Sequence, residues 1–217
     1  MRNIVLAVGV ILSNIFLMVP AYALDVQITP DLASVDVMHN GKKVTIMRNQ
    51  DASNTINPDY AVTSRKCPPF CIRPMKIAEG VETLGELEMI HYLKMKSDGM
   101  DSIVVIDSRT PDWVAKGTIP GSINIPWTKL SPAKGASFFE IAGILQKQFG
   151  VIEEDGGLMN FSKAKTLVMF CNGMWCGQSP RNILQLLKIG YPAEKIKWYR
   201  GGMQNWEALG LTTVKSK

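Results

Sequence analysis

Residues 166–190 read TLVMFCNGMWCGQSPRNILQLLKIG and combine a short apolar run, a glycine-bearing loop and an amphipathic segment. The run from Thr166 to Phe170 is rich in strand formers without polar alternation, which predicts a strand buried on both faces. Ser179-Pro180 predicts a helix start, with the serine as N-cap and the proline at the first helical position. Gly190 is expected to end this helix. Its predicted buried face comprises Ile183, Leu184, Leu186 and Leu187.

Cys171 stands at the end of the predicted strand, where the loop of residues 171–178 begins. Such a loop directs backbone N–H groups and the positive end of a helix dipole at one point. Gly173 and Gly177 permit the tight backbone conformation that this requires. These donors stabilise a thiolate over a thiol, lower the pKa of the cysteine, and would also hold a persulfide. The alternative is a buried core cysteine, which is common for this residue. The context favours a functional Cys171.

The composition is that of a globular protein, and the length suggests one good-sized domain together with a smaller region. The chain has 217 residues, 46% of them hydrophobic and 20% charged, and its net charge is +5 from 24 basic and 19 acidic residues. No run of lysine and arginine is interleaved with aromatic residues, so we expect no nucleic-acid partner. The modest positive charge suits attraction of small anions.

The first residues predict export. Arg2 precedes an apolar segment from Ile4 to Val19, and the following Pro20-Ala21-Tyr22-Ala23 offers a cleavage site for a signal peptide of residues 1–23. The alternative is an uncleaved membrane anchor, for which the run is short. We expect a periplasmic protein without a membrane segment after cleavage, in an oxidising compartment.

Residues 24–80 form an N-terminal extension in this interpretation. Alternating apolar residues flank Asn40-Gly41 between Val35 and Met47, which predicts a β-hairpin. Residues 48–61 are polar and turn-rich and are interpreted as a linker. Cys67 and Cys71 then enclose two prolines and a phenylalanine. The pair predicts a local disulfide, with two independent bridges or a redox-active pair as alternatives.

From Val81 to the end, residues 81–217, strand and helix patterns alternate. Thr83-x-x-Glu86 and Ser137-x-x-Glu140 resemble capping boxes that open helices, the second of which ends at Gly150. The first helix is expected to place Leu84, Leu87, Ile90 and His91 on one face. The second is expected to contain the apolar residues Phe138, Ile141, Ile144, Leu145 and Phe149. Further strands are predicted at residues 103–106 and 196–199 and a last helix at residues 203–209. This order predicts an α/β fold with a central parallel sheet, helices on both faces and a ligand site beyond the strand carboxyl ends.

Three stretches together resemble the rhodanese-like (sulfurtransferase) family. They are Ile106-Asp107-Ser108-Arg109 through Gly117-Thr118-Ile119-Pro120-Gly121-Ser122-Ile123-Asn124-Ile125-Pro126, then Cys171 at its strand end, then Tyr199-Arg200-Gly201-Gly202-Met203-x-x-Trp206 followed by Gly210-Leu211. The resemblance covers about residues 81–211 in the right order, and the extension lies outside it. It implies the rhodanese fold.

The resemblance also implies a sulfurtransferase. Cys171 would accept sulfane sulfur from a small anionic donor such as thiosulfate, carry it as a persulfide, and pass it to a thiol or cyanide-like acceptor. No metal or other cofactor is required. Asp107 and Arg109 would be supporting residues, paired beneath the loop. The implied substrate-binding loop comprises Asn172, Gly173, Met174, Trp175, Cys176, Gly177 and Gln178.

The loop departs from the family pattern at two positions. Gln178 stands where many members carry an arginine that ends the loop, and the loop is about two residues longer than usual. Glutamine supplies no charge, so Arg181 or Arg200 is a candidate substitute. Cys176 is the second departure and is interpreted as a resolving thiol or disulfide partner of Cys171. Trp175 is interpreted as a packing lid.

Three functional hypotheses follow from these patterns. The first is an exported sulfurtransferase that uses Cys171. The second is a thiol–disulfide oxidoreductase or redox sensor that uses Cys171 and Cys176. The third is a non-catalytic binding domain, whose extension docks a periplasmic protein partner. His39 and His91 are too isolated to predict a metal site, and His91 is expected in the core or at its boundary.

Overall fold

The computed structural model describes residues 25–215, so the predicted signal peptide lies outside the described residues. The strands are β1 (Ser34–His39), β2 (Lys42–Met47), β3 (Glu82–Leu84), β4 (Ile103–Asp107), β5 (Ile123–Asn124), β6 (Ile152–Glu153), β7 (Met159–Asn160), β8 (Thr166–Phe170) and β9 (Ile196–Tyr199). The α-helices are α1 (Pro58–Ala61), α2 (Glu86–Ser97), α3 (Pro111–Lys116), α4 (Phe138–Phe149), α5 (Gln178–Lys188) and α6 (Gly202–Ala208). Short 3₁₀ turns lie at Trp127–Leu130, Pro132–Lys134 and Ala193–Lys195.

The central sheet has five strands in the order β3-β9-β8-β4-β5, and every pair in it is parallel. Asp107, Phe170 and Tyr199 end β4, β8 and β9 in register. Because the strands run the same way, the segments that follow them meet at one edge of the sheet. The predicted parallel sheet is confirmed, and Cys171 begins its loop at this edge.

Helices cover both faces of the sheet, as predicted. Val105 and Val168 point to one face, where they share a hydrophobic cluster with α2 and α6. Val104 and Leu167 point to the other face and share a second cluster with α4 and α5. Successive strand residues alternate between faces, so these strands must be apolar throughout.

The predicted hairpin is present and is joined to the core. β1 and β2 pair antiparallel across Asn40 and Gly41, whose φ angles of 50° and 74° belong to the left-handed region that a tight primed turn requires. Val35, Val37 and Ile46 are buried in the same cluster as α2 and α6. The hairpin therefore packs with α2 and α6 and adds a further layer on this side of the sheet.

The prediction of a capping box at Thr83-x-x-Glu86 was wrong. Thr83 lies in β3, and its hydroxyl donates to the carbonyl of Met75. Helix α2 begins three residues later with Gly85 as N-cap, whose N–H donates to the Glu88 carboxylate at 3.0 Å. The predicted face was wrong in part: Ile90 is buried as expected, but Leu84 belongs to β3, and the other buried residues of α2 are Met89 and Leu93. Leu87 is 50% exposed and His91 is exposed, so His91 is not a core histidine.

Two other helices show smaller differences. Helix α4 has the predicted Ser137–Glu140 capping box, with Gly150 at φ 71° after its last turn, but Phe138 is 64% exposed. Helix α5 begins at Gln178 with Gly177 as N-cap, so Ser179 is not the cap. Leu184 is 49% exposed, and α5 buries Asn182, Ile183 and Leu186.

The buried role of the hairpin gives a stability prediction. Ile46→Ala removes a side chain with no exposed surface, and we expect it to lower the free energy of unfolding by about 3 kcal/mol. Met38→Ala, at a position of β1 that is 46% exposed, should cost less than about 1 kcal/mol. Chemical denaturation with a single transition would measure both, and equal small effects would show that the hairpin is not part of the core.

Candidate active site

The loop of residues 171–177 is fixed to α6 by its backbone. The carbonyl of Cys171 accepts from the N–H of Met203 at 2.9 Å, and the carbonyl of Asn172 accepts from the N–H of Gln204 at 2.9 Å. Gly202 has φ 55°, and a Cβ there would lie 2.3 Å from the Cys171 carbonyl oxygen. The glycine therefore permits the close approach that sets the position of Cys171.

The sulfur of Cys171 is buried among hydrogen-bond donors. Its side chain is 2% exposed, and the Ser179 hydroxyl donates to Sγ at 3.1 Å. Burial raises the pKa of Cys171, but hydrogen bonds from the Cys176 thiol, from the hydroxyl and N–H of Ser179 and from the N–H of Gly173 outweigh it and lower this pKa to about 7. Cys171 thus has substantial thiolate character at neutral pH.

Cys176 holds its proton. Burial and the neighbouring Cys171 raise the pKa of Cys176 well above its ordinary value. Its one S–H can donate to Gln178 Oε1, which lies 3.7 Å from its sulfur, or to Cys171. A hydrogen bond to an anion is the stronger, so ionisation of Cys171 turns this proton toward the thiolate. Both cysteines are free thiols in the structure.

Ser179 is the site residue that the sequence did not predict as such. Instead of capping α5, its hydroxyl donates to Cys171 and accepts from Trp198 Nε1 at 3.1 Å. Trp198 belongs to β9 and is 1% exposed. The indole donor fixes the direction of the serine proton, which leaves that proton for the sulfur.

Asp107 and Arg109 form a buried ion pair below the loop. Arg109 donates through Nε and through Nη2, which lies 2.6 Å from Asp107 Oδ2, and both side chains are almost fully buried. Its remaining nitrogen, Nη1, donates to the Tyr60 hydroxyl at 2.8 Å and to Asn172 Oδ1 at 3.5 Å. Burial opposes the charge, but the Asp107 carboxylate outweighs it and raises the pKa of Arg109. The supporting role expected of the pair corresponds to this geometry.

The extension also touches the loop, although the sequence placed it outside the site. Residues 48–61 were interpreted as a linker, but they include α1, whose Tyr60 is 3% exposed. A disulfide joins Cys67 and Cys71, and between them Phe70 meets the Trp175 ring edge-to-face at 5.6 Å between centroids. No local pattern predicts these contacts.

Trp175 is held on both sides, as a packing lid would be. Its Nε1 donates to Gln204 Oε1 at 2.8 Å, and the amide of Gln204 donates to the carbonyl of Tyr60 at 2.9 Å. The Arg65 guanidinium carbon lies 4.2 Å from the centroid of the indole. The N–H of Arg73 donates to the carbonyl of Met174 at 2.8 Å. The loop is therefore enclosed between α6 and the extension.

The two candidate arginines have different positions. Arg200 donates to the carbonyls of Arg73 and Pro74, so its guanidinium is engaged by the extension. Arg181 is exposed and stacks on Trp127, with its guanidinium carbon 4.8 Å from the ring centroid. Arg181 lines a pocket of about 210 Å³ that also includes Gln178 and Cys176. Arg181 is thus the candidate that can contact a ligand above the loop.

The family model described as the rhodanese-like domain matches residues 91–209, which is more than half of the chain. The chain belongs to the rhodanese-like domain family. The observed parallel sheet with flanking helices is the fold that this membership implies. In this rhodanese-like chain the matched segment contains Asp107, Arg109, Cys171 and Arg200, whereas the hairpin and the disulfide precede it.

Solved structures with similarity to this rhodanese-like protein include two sulfurtransferases. Thiosulfate sulfurtransferase from Pseudomonas aeruginosa is 18% identical with a TM-score of 0.41, and the match covers 63% of this chain and 21% of that one. The human single-domain sulfurtransferase TSTD1 is 20% identical with a TM-score of 0.35, covering 58% and 95% respectively. The BH2092 protein from Bacillus halodurans is 18% identical with a TM-score of 0.40, covering 58% and 70%. No protein of curated function matches the chain.

Two properties of residues 25–215 concern metal ions and membranes. This part of the chain contains no group of three or more histidine, cysteine, aspartate or glutamate side chains placed to bind a metal ion. Within the same residues, no helix has the length and apolar character needed to cross a membrane.

The donors around Cys171 predict a pH dependence. Alkylation of Cys171 by iodoacetamide should follow the thiolate, rising through a midpoint near pH 7. Cys176→Ala removes one donor and should raise this midpoint, so that the thiolate fraction at pH 7 falls from about one half toward about one tenth. Cys176→Ser keeps a donor and should stay close to the wild type. Rates from peptide mapping would test this, and identical midpoints in all three proteins would contradict it.

The close approach at Gly202 gives a second prediction. Gly202→Ala places a Cβ against the Cys171 carbonyl at a left-handed φ. We expect it to lower the free energy of unfolding by about 2–4 kcal/mol and to displace the active-site loop. Gly143→Ala is the control, because a Cβ there meets nothing within 4 Å and the position is helical. It should stabilise by about 0.5–1 kcal/mol. Thermal unfolding and the Cys171 alkylation rate are the measurements.

Proposed function

We propose that this rhodanese-like protein is an exported sulfurtransferase that carries sulfane sulfur as a persulfide on Cys171. The arrangement of donors around Cys171, which lowers the pKa of this thiol to about 7, is the observation that supports the proposal. A thiolate is the nucleophile that attacks sulfur, and the donors that stabilise it are equally suited to an anionic persulfide.

The first half-reaction loads the cysteine. The Cys171 thiolate attacks the outer sulfur of an anionic donor such as thiosulfate, forming a new S–S bond while the donor's own S–S bond breaks. The bond pair leaves with sulfite, so charge balances without an added oxidant. The N–H groups of Gly173 and Ser179, with the Ser179 hydroxyl, hold the anionic sulfur throughout.

The second half-reaction removes the sulfane sulfur from Cys171. A thiophilic acceptor, cyanide or a thiolate, attacks the outer sulfur of the persulfide. The Cys171 thiolate leaves with the S–S bond pair and is again stabilised by the same donors. Because Gln178 carries no charge, Arg181, which lines the pocket above the loop together with Arg65, is the cation proposed to attract an anionic donor.

Export to the periplasm is part of the proposal. Residues 1–23 have the pattern of a cleavable signal peptide, and the Cys67–Cys71 disulfide suits an oxidising compartment. We propose small-molecule partners, namely an anionic sulfur donor and a thiol or cyanide-like acceptor, together with a periplasmic protein partner. Cell fractionation and the N-terminal sequence of the purified protein would test localisation and cleavage.

The decisive experiment combines turnover with mass analysis. Wild-type protein treated with thiosulfate should gain the mass of one sulfur on the peptide that contains Cys171, and cyanide should remove it as thiocyanate. Cys171→Ser should lose turnover by at least about a thousandfold, because it removes the nucleophile. Cys176→Ser should keep turnover within about tenfold. Equal thiocyanate production by wild type and Cys171→Ser would overturn the proposal.

A second candidate function is thiol–disulfide exchange through Cys171 and Cys176. It is favoured by the coupling of the two neighbouring buried thiols, of which Cys171 has a lowered and Cys176 a raised pKa. Attack of Cys176 on a Cys171 persulfide would form their disulfide and release hydrosulfide, which takes the Cys176 proton. If this reaction is the function, wild-type protein loaded with sulfur should release hydrosulfide and form the Cys171–Cys176 disulfide, whereas Cys176→Ser should release none and keep a persistent persulfide.

A further inference from the structure

The active-site loop is closed to solvent in the structure. Cys171 is 2% exposed and Cys176 is 4% exposed, so neither a sulfur donor nor an acceptor can reach the Cys171 sulfur in this state. Any reaction at Cys171 therefore requires a state in which the loop is uncovered. On its outer side the loop is covered by a segment of the N-terminal extension, residues 65–74, which we call the lid.

The lid contacts the loop through both side chains and backbone. Phe70 meets Trp175 edge-to-face at 5.6 Å between ring centroids, and the guanidinium carbon of Arg65 lies 4.2 Å from the Trp175 centroid. The N–H of Arg73 donates to the carbonyl of Met174 at 2.8 Å. These contacts hold the part of the loop that lies above the two thiols.

The closed lid leaves two buried donors without a partner. The Arg73 guanidinium lies against Gly177, where a Cβ would be 2.5 Å from Nη2. The Nε atoms of Arg65 and Arg73 are buried, and neither has a hydrogen-bond partner among the described residues. A buried donor without an acceptor costs free energy, which is recovered when opening exposes the donor to water. Residues 65–74 are all described and none of them belongs to a helix or strand, so little regular backbone structure opposes opening.

The Cys67–Cys71 disulfide restrains the part of the lid that contacts Trp175. The cross-link closes a ring that contains Phe70, whose N–H also donates to the carbonyl of Lys66 at 3.1 Å. A cross-link limits the conformations of the chain between its ends, and reduction restores them. Cys67 is exposed and Cys71 is half-buried, so a reductant can reach the bond.

We propose that residues 65–74 are a redox-controlled lid, which the Cys67–Cys71 disulfide holds closed over the active-site loop and which reduction by a dithiol opens. The inference rests on the proposed sulfurtransferase function, because it states when Cys171 is available to a donor or acceptor. One thiolate of the dithiol attacks a sulfur of the disulfide, and its second thiol then displaces the mixed disulfide. The dithiol leaves as a disulfide, and its two electrons and two protons end on the thiols of Cys67 and Cys71.

The first test measures access to Cys171 without sulfur transfer. Iodoacetamide alkylation of Cys171 is followed over a pH series in the disulfide-bonded wild type, in the Cys67→Ser/Cys71→Ser double variant and in Phe70→Ala. Both variants should raise the plateau rate at high pH by at least about tenfold, because the open lid is more populated. The midpoint should stay near pH 7, because the donors to the sulfur are unchanged.

Met75→Ala is the matched control for this test. Met75 follows the lid and its side chain is 64% exposed, so this variant should be alkylated within about twofold of the wild-type rate. Thermal unfolding shows whether the double variant stays folded, and Phe70→Ala, which keeps the disulfide, decides the outcome if it does not. A plateau rate in Phe70→Ala equal to that of the wild type would overturn the lid.

The second test separates the lid from the proposed function. Wild-type protein is reduced with dithiothreitol, desalted without oxygen, and compared with the oxidised protein in Cys171 alkylation and in thiocyanate production from thiosulfate and cyanide. Reduction should raise both rates by about tenfold, and it should change neither in Phe70→Ala, whose lid is already open. Faster alkylation without thiocyanate from either form would overturn the proposed function and leave the lid standing. Equal alkylation of the two forms, with thiocyanate produced by both, would overturn the lid and leave the sulfurtransferase standing.

Discussion

The buried ion pair of Asp107 and Arg109 is the constraint on which the functional side of this fold depends. A charge without exposed surface must be matched on every nitrogen, because an unpaired buried ion costs several kcal/mol. Arg109 is matched by Asp107, by the Gly117 carbonyl at 2.6 Å and by the Tyr60 hydroxyl at 2.8 Å, with Asn172 at 3.5 Å. One side chain thereby ties the end of β4, the extension and the active-site loop together.

This placement puts the permanent positive charge on the sheet side of Cys171. The attraction is mutual, since the Cys171 thiolate contributes to raising the pKa of Arg109. On the solvent side, Gln178 offers an acceptor where an arginine could only donate. Cys176 can therefore keep a partner whether or not Cys171 is ionised. The fixed charge of Arg109 thus lies beneath the Cys171 sulfur, and the Cys176 thiol proton, which can change its acceptor, lies above it.

The sequence predicted what depends on short-range pattern, including β8, the position of Cys171, the hairpin turn and the caps of α4. It failed where distant segments decide the outcome. Ser179 has the features of a helix cap, but Trp198 from another strand draws its hydroxyl into the site. His91 was misplaced because packing against the hairpin, and not the helical pattern alone, selects the buried face of α2. The docking of Tyr60 and Phe70 was missed because neither residue lies in a periodic apolar pattern that would indicate a buried face.

The hairpin layer has a practical consequence for anyone who shortens the chain. The family match begins at residue 91, inside α2, so a fragment cut at that boundary would retain Cys171 but lose Val35, Val37 and Ile46 from the cluster that buries α6. It would also lose Phe70 from the rim above Trp175. In this protein, the segment that matches the family model is shorter than the segment that packs into the core and around the active-site loop.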